Sequence, residues 1–121
     1  MMRIVGVYVL GLALLSAAGT LCVRSAEVED AAVVHIADLP REAQETLARI
    51  KQGGPYPYAR DGTVFANRER HLPAAARGSY REYTVPTPGR HDRGARRIIA
   101  TRSDRFWYSE DHYRSFRQII E

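Results

Sequence analysis

The residues of this chain that are best suited to chemistry are a carboxylate and a group of arginines on either side of a turn. Glu82 lies in a run of strand-forming residues, and Arg93, Arg96 and Arg97 follow the turn at residues 86–89. Antiparallel strands joined in this way lie about 5 Å apart, so these groups can share one surface. Such a surface suits a phosphate ester, because arginines hold the anion while the acid moves a proton. The alternative is a cross-strand surface ion pair worth at most about 1 kcal/mol.

Two other short stretches carry polar side chains in close order. Residues 65–69 read Phe-Ala-Asn-Arg-Glu after a predicted strand, and His112 stands between an acid and a tyrosine in a predicted turn. Taken alone, these patterns indicate a polar turn capped by Asn67 and a histidine on the surface. The four histidines are scattered and Cys22 is the only cysteine, so the sequence predicts no metal site.

One helix must help to position these residues. The apolar residues that recur at helical spacing are Leu39, Ala43, Leu47 and Ile50. They predict a helix of about 13 residues that packs one face on a sheet. We expect it to open around Pro40, with Asp38 helping to cap it, and to end at Gly53.

Several short strands complete the predicted fold. They are residues 31–36 (an edge strand or a packed arm), a strand from Val64 into the following loop, and residues 80–85, 96–99, 105–108 and 113–120. Tyr80, Glu82 and Thr84 should share one face of their strand. Trp107 is expected in the core. One helix followed by short antiparallel strands indicates an α+β fold.

The first residues predict a leader rather than part of the domain. Arg3 is followed by residues 4–23, a run without a charged side chain, which is typical of a secretory signal. We therefore divide the chain into a signal peptide or hydrophobic leader at residues 1–26 and a domain at residues 27–121. The run is also long enough to stay as a membrane anchor. We expect a secreted protein, extracellular or periplasmic, without a disulfide, because Cys22 lies in the leader.

The charge of the chain is compatible with an anionic partner. Its 121 residues carry a formal net charge of +4, and Lys51 is the only lysine. Arginine forms forked contacts to phosphates and carboxylates better than lysine does. A basic balance on its own does not identify the partner.

The order and spacing of the polar motifs resemble a known family. The matching stretches are residues 65–69, Leu72-Pro73, residues 80–85, Arg93 with residues 96–99, and residues 111–113 with Phe116. Together they resemble the small secreted microbial ribonucleases, the guanyl-specific family that includes barnase and the Streptomyces-type enzymes. The resemblance covers residues 33–120. It implies the microbial ribonuclease fold, in which one N-terminal helix packs on a small twisted antiparallel β-sheet.

The resemblance also implies a reaction, with Glu82, His112, Arg97 and Arg93 as its catalytic residues. Glu82 would take the proton from the ribose 2′-hydroxyl, and His112 would protonate the departing 5′-oxygen. The two arginines would hold the non-bridging oxygens. The implied activity is cleavage of single-stranded RNA after guanosine through a 2′,3′-cyclic phosphate, without metal or cofactor. A model carboxyl titrates near pH 4.3 and a model imidazole near 6.5, so between about these values both groups have the required charge.

Guanine selection is implied for the loop at residues 65–69. The substrate-binding residues that the resemblance implies are Phe65, Asn67, Arg68, Glu69, Arg96 and Tyr113. Glu69 would accept hydrogen bonds from N1 and N2 of guanine, and backbone N–H groups around Asn67 and Arg68 would donate to O6. Tyr113 or Phe65 would stack on the base. Arg68 and Arg96 would either touch phosphate or orient acids.

Other functions fit the same sequence. A second hypothesis is an exported RNA-binding or interaction module of this fold that has lost activity, and a third is an antibacterial toxin with the same chemistry. The partners implied are single-stranded RNA and an acidic inhibitor protein resembling barstar. We expect a monomer without stable membrane association once the leader is removed.

Overall fold

Six short strands form one sheet, and a single α-helix packs on one of its faces in the computed structural model, which describes residues 32–121. The elements are β1 (Val33–His35), α1 (Arg41–Gln52), β2 (Thr63–Val64), β3 (Tyr80–Thr84), β4 (Arg97–Thr101), β5 (Phe106–Ser109) and β6 (Arg117–Ile120). The leader predicted for residues 1–26 lies outside the described residues. No helix in the described part of the chain has both the length and the apolar character needed to cross a membrane. The α+β prediction is confirmed.

The sheet is antiparallel except at one edge. Its strand order is β1-β6-β5-β4-β3-β2, and every neighbouring pair is antiparallel apart from β1 and β6, which run parallel. The expectation of an edge strand near residues 31–36 is confirmed, and the predicted antiparallel sheet is confirmed for every neighbouring pair except β1 with β6. β1 and β6 lie at opposite ends of the described chain, so no hairpin turn joins them and imposes an antiparallel direction.

The helix begins and ends close to the predicted positions. Pro40 occupies the N-cap position, and Gly53 ends the helix in the left-handed conformation with φ of 85°. The predicted cap by Asp38 is wrong, because Asp38 belongs to a preceding 3₁₀ turn and the N-cap has no side-chain hydrogen bond. Glycine adopts a positive φ without steric cost, which explains why the helix ends at Gly53.

The sheet buries side chains on both faces. Ile98 packs in the cluster that includes Leu47 of α1, whereas its neighbour Ile99 packs on the other face with Trp107 and Leu72. Successive strand residues point to opposite faces, so β4 contributes to two separate cores. The second core, on the face opposite the helix, lies beneath the polar motifs.

Ile98 provides a test of the helix-side core. We expect Ile98→Ala to lower the free energy of unfolding by about 2–5 kcal/mol, because Ile98 is fully buried and its loss leaves a cavity. Val64→Ala is the matched control, since Val64 is 47 % exposed and should cost about 0.5 kcal/mol or less. Urea denaturation of the two variants measures the difference. Equal decreases in the free energy of unfolding for the two variants would contradict the burial of Ile98 in the helix-side core.

The last strand is shorter than predicted. Residues 113–116 continue the turn at residue 112 as a short irregular segment, and β6 begins only at Arg117. The cause is local: His112 has φ of 57° and Tyr113 has φ of 72°, which no β-strand residue adopts. The predicted turn at residues 111–112 therefore continues up to Phe116, and this turn carries His112.

Candidate active site

The carboxylate of Glu82 lies at the centre of β3, and only 6 % of the residue is exposed. Tyr80 and Thr84, two positions away on either side, are buried with it, as the alternation of the strand predicts. A buried carboxylate is costly unless charged or polar groups compensate it. The surroundings of Glu82 therefore have to contain such partners.

Arg93 is the direct partner of Glu82. Its Nη2 donates to Glu82 Oε1 at 3.1 Å, and its Nε donates to Thr84 Oγ1 at 3.0 Å. The guanidinium thus spans two side chains of β3 on the face opposite the helix. The predicted neighbourhood of Glu82 and Arg93 is confirmed, and the ion pair is largely buried rather than a surface contact.

Arg97 is a buried cation that lacks a carboxylate partner within residues 32–121. Its Nη1 donates to the carbonyl oxygens of Gly94 and Arg96, at 3.1 and 2.8 Å, and its Nε donates to Tyr113 Oη at 3.0 Å. The backbone carbonyls fix the guanidinium but leave its charge uncompensated. A buried positive charge of this kind favours an anionic ligand.

Tyr113 connects Arg97 to the carboxylate. Burial raises the pKa of the Tyr113 phenol, and the negative charge of Glu82 raises it further, although Arg97 acts in the opposite direction. The hydroxyl is therefore a neutral hydrogen-bonding group near neutral pH. It lies where it can both accept from the guanidinium and contact an anion bound beside it.

A hydrogen-bonded frame presents His112. Asp111 Oδ1 accepts from Ser109 Oγ at 3.0 Å and from Ser115 N at 2.9 Å, and Ser115 Oγ donates to Oδ2 at 2.6 Å. Burial opposes ionisation of Asp111, but these hydrogen bonds outweigh it and hold the pKa of the carboxyl below its ordinary value. The backbone N–H of His112 donates to Ala95 O at 2.9 Å, which ties the turn to the loop before β4.

Glu82 and His112 line the same pocket. Its volume is about 320 Å³, and its walls include the loop at residues 65–69. The two residues are 30 positions apart in the sequence, and the sheet and the turn bring them together. Arg93 and Arg97 do not line the pocket but contact Glu82 and Tyr113, which do. A carboxylate, an imidazole and two guanidiniums can together hold a phosphate and move protons on either side of it.

Asn67 shapes the loop that forms one wall of this pocket. Its side chain donates to Leu72 O at 3.0 Å and accepts from Leu72 N at 3.1 Å, which closes the loop at residues 67–72. Its own φ is 53°, a conformation that asparagine tolerates better than most residues. The Asn67 side chain is therefore engaged within the loop, while the residue also lines the pocket. Glu69 stands on the rim with its carboxylate exposed.

Aromatic rings form the rest of the pocket. Phe65 and Tyr113 stack with their centroids 5.0 Å apart and their planes at 28°, and Phe116 meets Phe65 edge-on at 5.9 Å. These rings belong to the second core beneath the site. The stack leaves no space for a further ring between its members, so a planar ligand would lie against the exposed faces or displace Tyr113.

Two of the predicted site residues differ in their position relative to the pocket. Arg96 is not brought to the pocket: its Nη1 lies 3.9 Å from Glu42 Oε2 of α1, on the helix side of the sheet. Because Arg97 lies on the same face of the sheet as Glu82, the residue before it on the chain must face the other way. Arg68 is exposed and lines both this pocket and a neighbouring groove.

Two further residues belong to the site although the sequence analysis did not assign them to it. His71, expected to be a surface or packing residue, lines the pocket, and its Nε2 lies 3.0 Å from Glu69 Oε2. Thr84 accepts a hydrogen bond from Arg93. The alternation of β3 predicts that Thr84 lies beside Glu82. Nothing in the spacing of residues 69–71 indicates that the side chains of Glu69 and His71 meet.

No group of three or more histidine, cysteine or acidic side chains within residues 32–121 is arranged to hold a metal ion.

Comparisons with known proteins agree with this geometry. A sequence model of a family described as ribonuclease matches residues 23–120. The chain is 56 % identical over 87 residues to guanyl-specific ribonuclease St of Saccharopolyspora erythraea, a match covering 72 % of this chain and 86 % of that protein. It is 51 % identical over 89 residues to guanyl-specific ribonuclease Sa of Kitasatospora aureofaciens, covering 71 % and 91 %.

Solved structures give the same result. Ribonuclease Sa2 in complexes with mononucleotides superposes with a TM-score of 0.73 at 49 % identity, covering 74 % of this chain and 94 % of that one. Ribonuclease Sa2 with guanosine-2′-cyclophosphate superposes with a TM-score of 0.71 at 48 % identity, covering 74 % and 96 %.

Proposed function

The chain belongs to the guanyl-specific ribonuclease family, and from that premise we propose that it cleaves single-stranded RNA on the 3′ side of guanosine through a 2′,3′-cyclic phosphate. The observation that carries this proposal is the placement of Glu82 and His112 in one pocket, with Arg93 and Arg97 adjoining it. Relatives with the guanyl-specific name, and a relative solved with a guanosine cyclophosphate, support the choice of base and product.

In the first step Glu82 accepts the proton of the ribose 2′-hydroxyl, and the 2′-oxygen attacks the adjacent phosphorus. The bond from phosphorus to the 5′-oxygen of the next nucleotide breaks, and His112 gives that oxygen a proton. An acid and a base placed in this way each contribute about 10²- to 10⁴-fold. DNA has no 2′-hydroxyl and is not cleaved by this route.

The arginines stabilise the charge that grows on the phosphoryl oxygens. Arg97 is already fixed by backbone carbonyls, so it need not reorganise when the charge appears. Arg93 can contact the phosphate while remaining close to Glu82 and Thr84. In the second step water opens the cyclic phosphate, with His112 acting as base and Glu82 as acid.

Guanine is recognised by the loop at residues 65–69. The carboxylate of Glu69 accepts hydrogen bonds from N1 and N2 of the base, and backbone N–H groups near Asn67 donate to O6. Adenine offers the wrong donors and would leave the carboxylate unpaired, which is a strong basis for discrimination. Stacking of the base on Phe65 or Tyr113 adds about 1–3 kcal/mol.

Cleavage in the presence of a chelator tests the proposed function. The protein is incubated with RNA and EDTA, and the 3′ ends of the products are identified by mass spectrometry. We expect ends that carry guanosine 2′,3′-cyclic phosphate. An absence of cleavage would favour an RNA-binding module that has lost activity, and cleavage abolished by EDTA would exclude this mechanism. An antibacterial toxin with the same chemistry would give the same ends.

His71 should orient the guanine-binding carboxylate. With hydrogen on Nε2, the imidazole donates to Glu69 and leaves the other lone pairs of the carboxylate for the base. We expect His71→Ala to raise KM for guanosine substrates about 2- to 10-fold with kcat unchanged, the effect of one hydrogen bond of about 0.5–1.5 kcal/mol. Steady-state kinetics on a GpU dinucleotide measure this.

The controls separate orientation from a general loss of structure. His71→Gln can still donate a hydrogen bond to Glu69, so its KM should rise less than that of His71→Ala. His35→Ala changes an exposed residue of β1 and should leave KM unchanged. In a Glu69→Ala background, His71→Ala should have no further effect. A loss of the same size in that background would show that His71 does not act through Glu69.

We further propose that the protein is exported, extracellular or periplasmic, and acts as a monomer. The uncharged run at residues 4–23 supports export. The arginines beside the pocket suit an acidic inhibitor protein resembling barstar, which would protect the producing cell. Mass spectrometry of protein recovered from the culture medium tests export, and a mass that includes residues 1–26 would contradict removal of the leader.

A further inference from the structure

A second groove lies on the other side of the guanine-recognition loop. Its volume is about 660 Å³, larger than that of the pocket containing Glu82, and the two share Phe65, Ala66, Asn67 and Arg68 as a common wall. No part of the mechanism above uses this groove. A strand of RNA that crosses the rim of the base pocket would enter it directly.

The groove is basic. Arg68, Arg70 and Arg77 line it, and no acidic side chain does. All three are exposed, and none of them forms an ion pair with an acid of residues 32–121. Their charges are therefore available to an anion. We call this surface the arginine groove.

The positive charge continues beyond the arginine groove. The loop at residues 73–78 forms its outer wall, and on the far side of that loop a second depression of about 410 Å³ is lined by Arg77, Arg81, Arg102 and Arg105, again without an acid. Several arginines in two adjoining depressions fit a repeating anion, such as a nucleic-acid backbone, better than a single phosphate.

The direction of β3 relates the arginine groove to the reaction. Tyr80, at the start of the strand, lines the groove, and Thr84, at its end, binds Arg93. Glu82 lies between them. In the proposed function the cleaved phosphate is on the 3′ side of guanosine, at Arg93, whereas the arginine groove adjoins the pocket through residues 65–68, at the other end of β3. It is therefore a basic surface open to the part of the RNA that precedes guanosine.

We propose that the arginine groove binds the phosphates of the RNA segment on the 5′ side of the cleaved guanosine. This inference rests on the proposed function, since it takes its direction from the placement of the cleaved bond. It assigns Arg70 and Arg77 to substrate binding, and it predicts that the enzyme prefers guanosines that follow several nucleotides over a guanosine at the 5′ end.

The test compares three substrates: a GpU dinucleotide, the same dinucleotide with four uridines added on the 5′ side, and the same with four uridines on the 3′ side. The variant is Arg70→Asn with Arg77→Ala, because asparagine removes the charge of Arg70 and still tolerates its φ of 58°, so the turn before His71 is kept. The control is Arg41→Ala with Arg49→Ala, which removes the same charge from α1 on the opposite face of the sheet.

We expect the groove variant to lower kcat/KM for the 5′-extended substrate about 10-fold, the equivalent of two exposed charge contacts. The dinucleotide and the 3′-extended substrate should be unaffected. Loss of two phosphate contacts should also reduce the slope of log kcat/KM against log salt by about 1.4, since each contact to a single strand contributes about 0.7. The α1 control should change none of these values.

Equal effects on all substrates, effects on the 3′-extended substrate alone, or no effect would each overturn the proposal. In the last case the groove would not bind RNA. Failure of the proposed function is recognised separately, because the wild-type protein would then cleave none of the three substrates. Fluorescence anisotropy with the 5′-extended oligonucleotide in a Glu82→Gln background measures binding without turnover.

Discussion

Replacing Glu82 by glutamine is expected to lower kcat by about 10²- to 10⁴-fold, the usual contribution of a general base. The amide has nearly the same shape as the carboxylate but cannot take the proton of the 2′-hydroxyl. Binding of guanosine 3′-monophosphate should persist, because Glu69, Phe65 and Arg97 are unchanged. Steady-state kinetics on GpU and titration calorimetry with the nucleotide measure the two effects separately.

Glu42→Gln is the matched control for this change. Glu42 is also a glutamate beside an arginine, 3.9 Å from Arg96, but it lies on the helix side of the sheet. Its substitution should leave kcat unchanged. The Glu82 variant leaves Arg93 without its ion pair, so its free energy of unfolding has to be measured as well. A Glu82→Gln protein that is folded and retains most of its activity would show that another group is the base.

Strand alternation made part of this site predictable. A period of two residues places Glu82 and Thr84 on one face, and the turn before Arg97 makes the next strand antiparallel, so that Arg97 lies opposite Thr84. The same rule argues against Arg96, which resemblance had added to the site. Where resemblance and strand geometry disagreed at Arg96, the geometry was the better guide to placement.

Other parts of the site depend on backbone conformations that could not be predicted from the residue types. His112 and Tyr113 both have positive φ although neither is glycine or asparagine, and this extends the predicted turn at residues 111–112 into the start of the predicted last strand. Arg70 likewise has φ of 58°, in the turn that brings His71 back to Glu69. Such conformations are held by surrounding hydrogen bonds that only the folded chain provides.

The chemistry and the fold share the same two strands. β3 and β4 carry Glu82 and Arg97 on the face opposite the helix, and β4 also carries Ile98 and Ile99 in the two cores. The reactive groups are therefore fixed by rigid elements, whereas the residues of base recognition lie on a loop. We expect substitutions in the loop to change specificity with little effect on stability, and substitutions in the strands to affect both.

Glu69 is the clearest case of a loop residue whose loss should change specificity. We expect Glu69→Ala to lower the ratio of kcat/KM for GpU over ApU by about 10²- to 10⁴-fold, because two hydrogen bonds to a charged acceptor, each worth about 1.5–3 kcal/mol, are lost. The fall should come from GpU and not from faster cleavage of ApU. The free energy of unfolding should change by about 0.5 kcal/mol or less, since the Glu69 side chain is 73 % exposed.

Glu45→Ala provides the control for this experiment, because it removes an exposed carboxylate from α1 without touching the pocket. It should leave the preference for guanosine intact. If Glu69→Ala also left it intact, the backbone of the loop would have to supply the recognition on its own, and the orienting role of His71 would lose its basis. If Glu69→Ala instead removed all cleavage of both substrates, the residue would belong to the catalytic groups rather than to base selection.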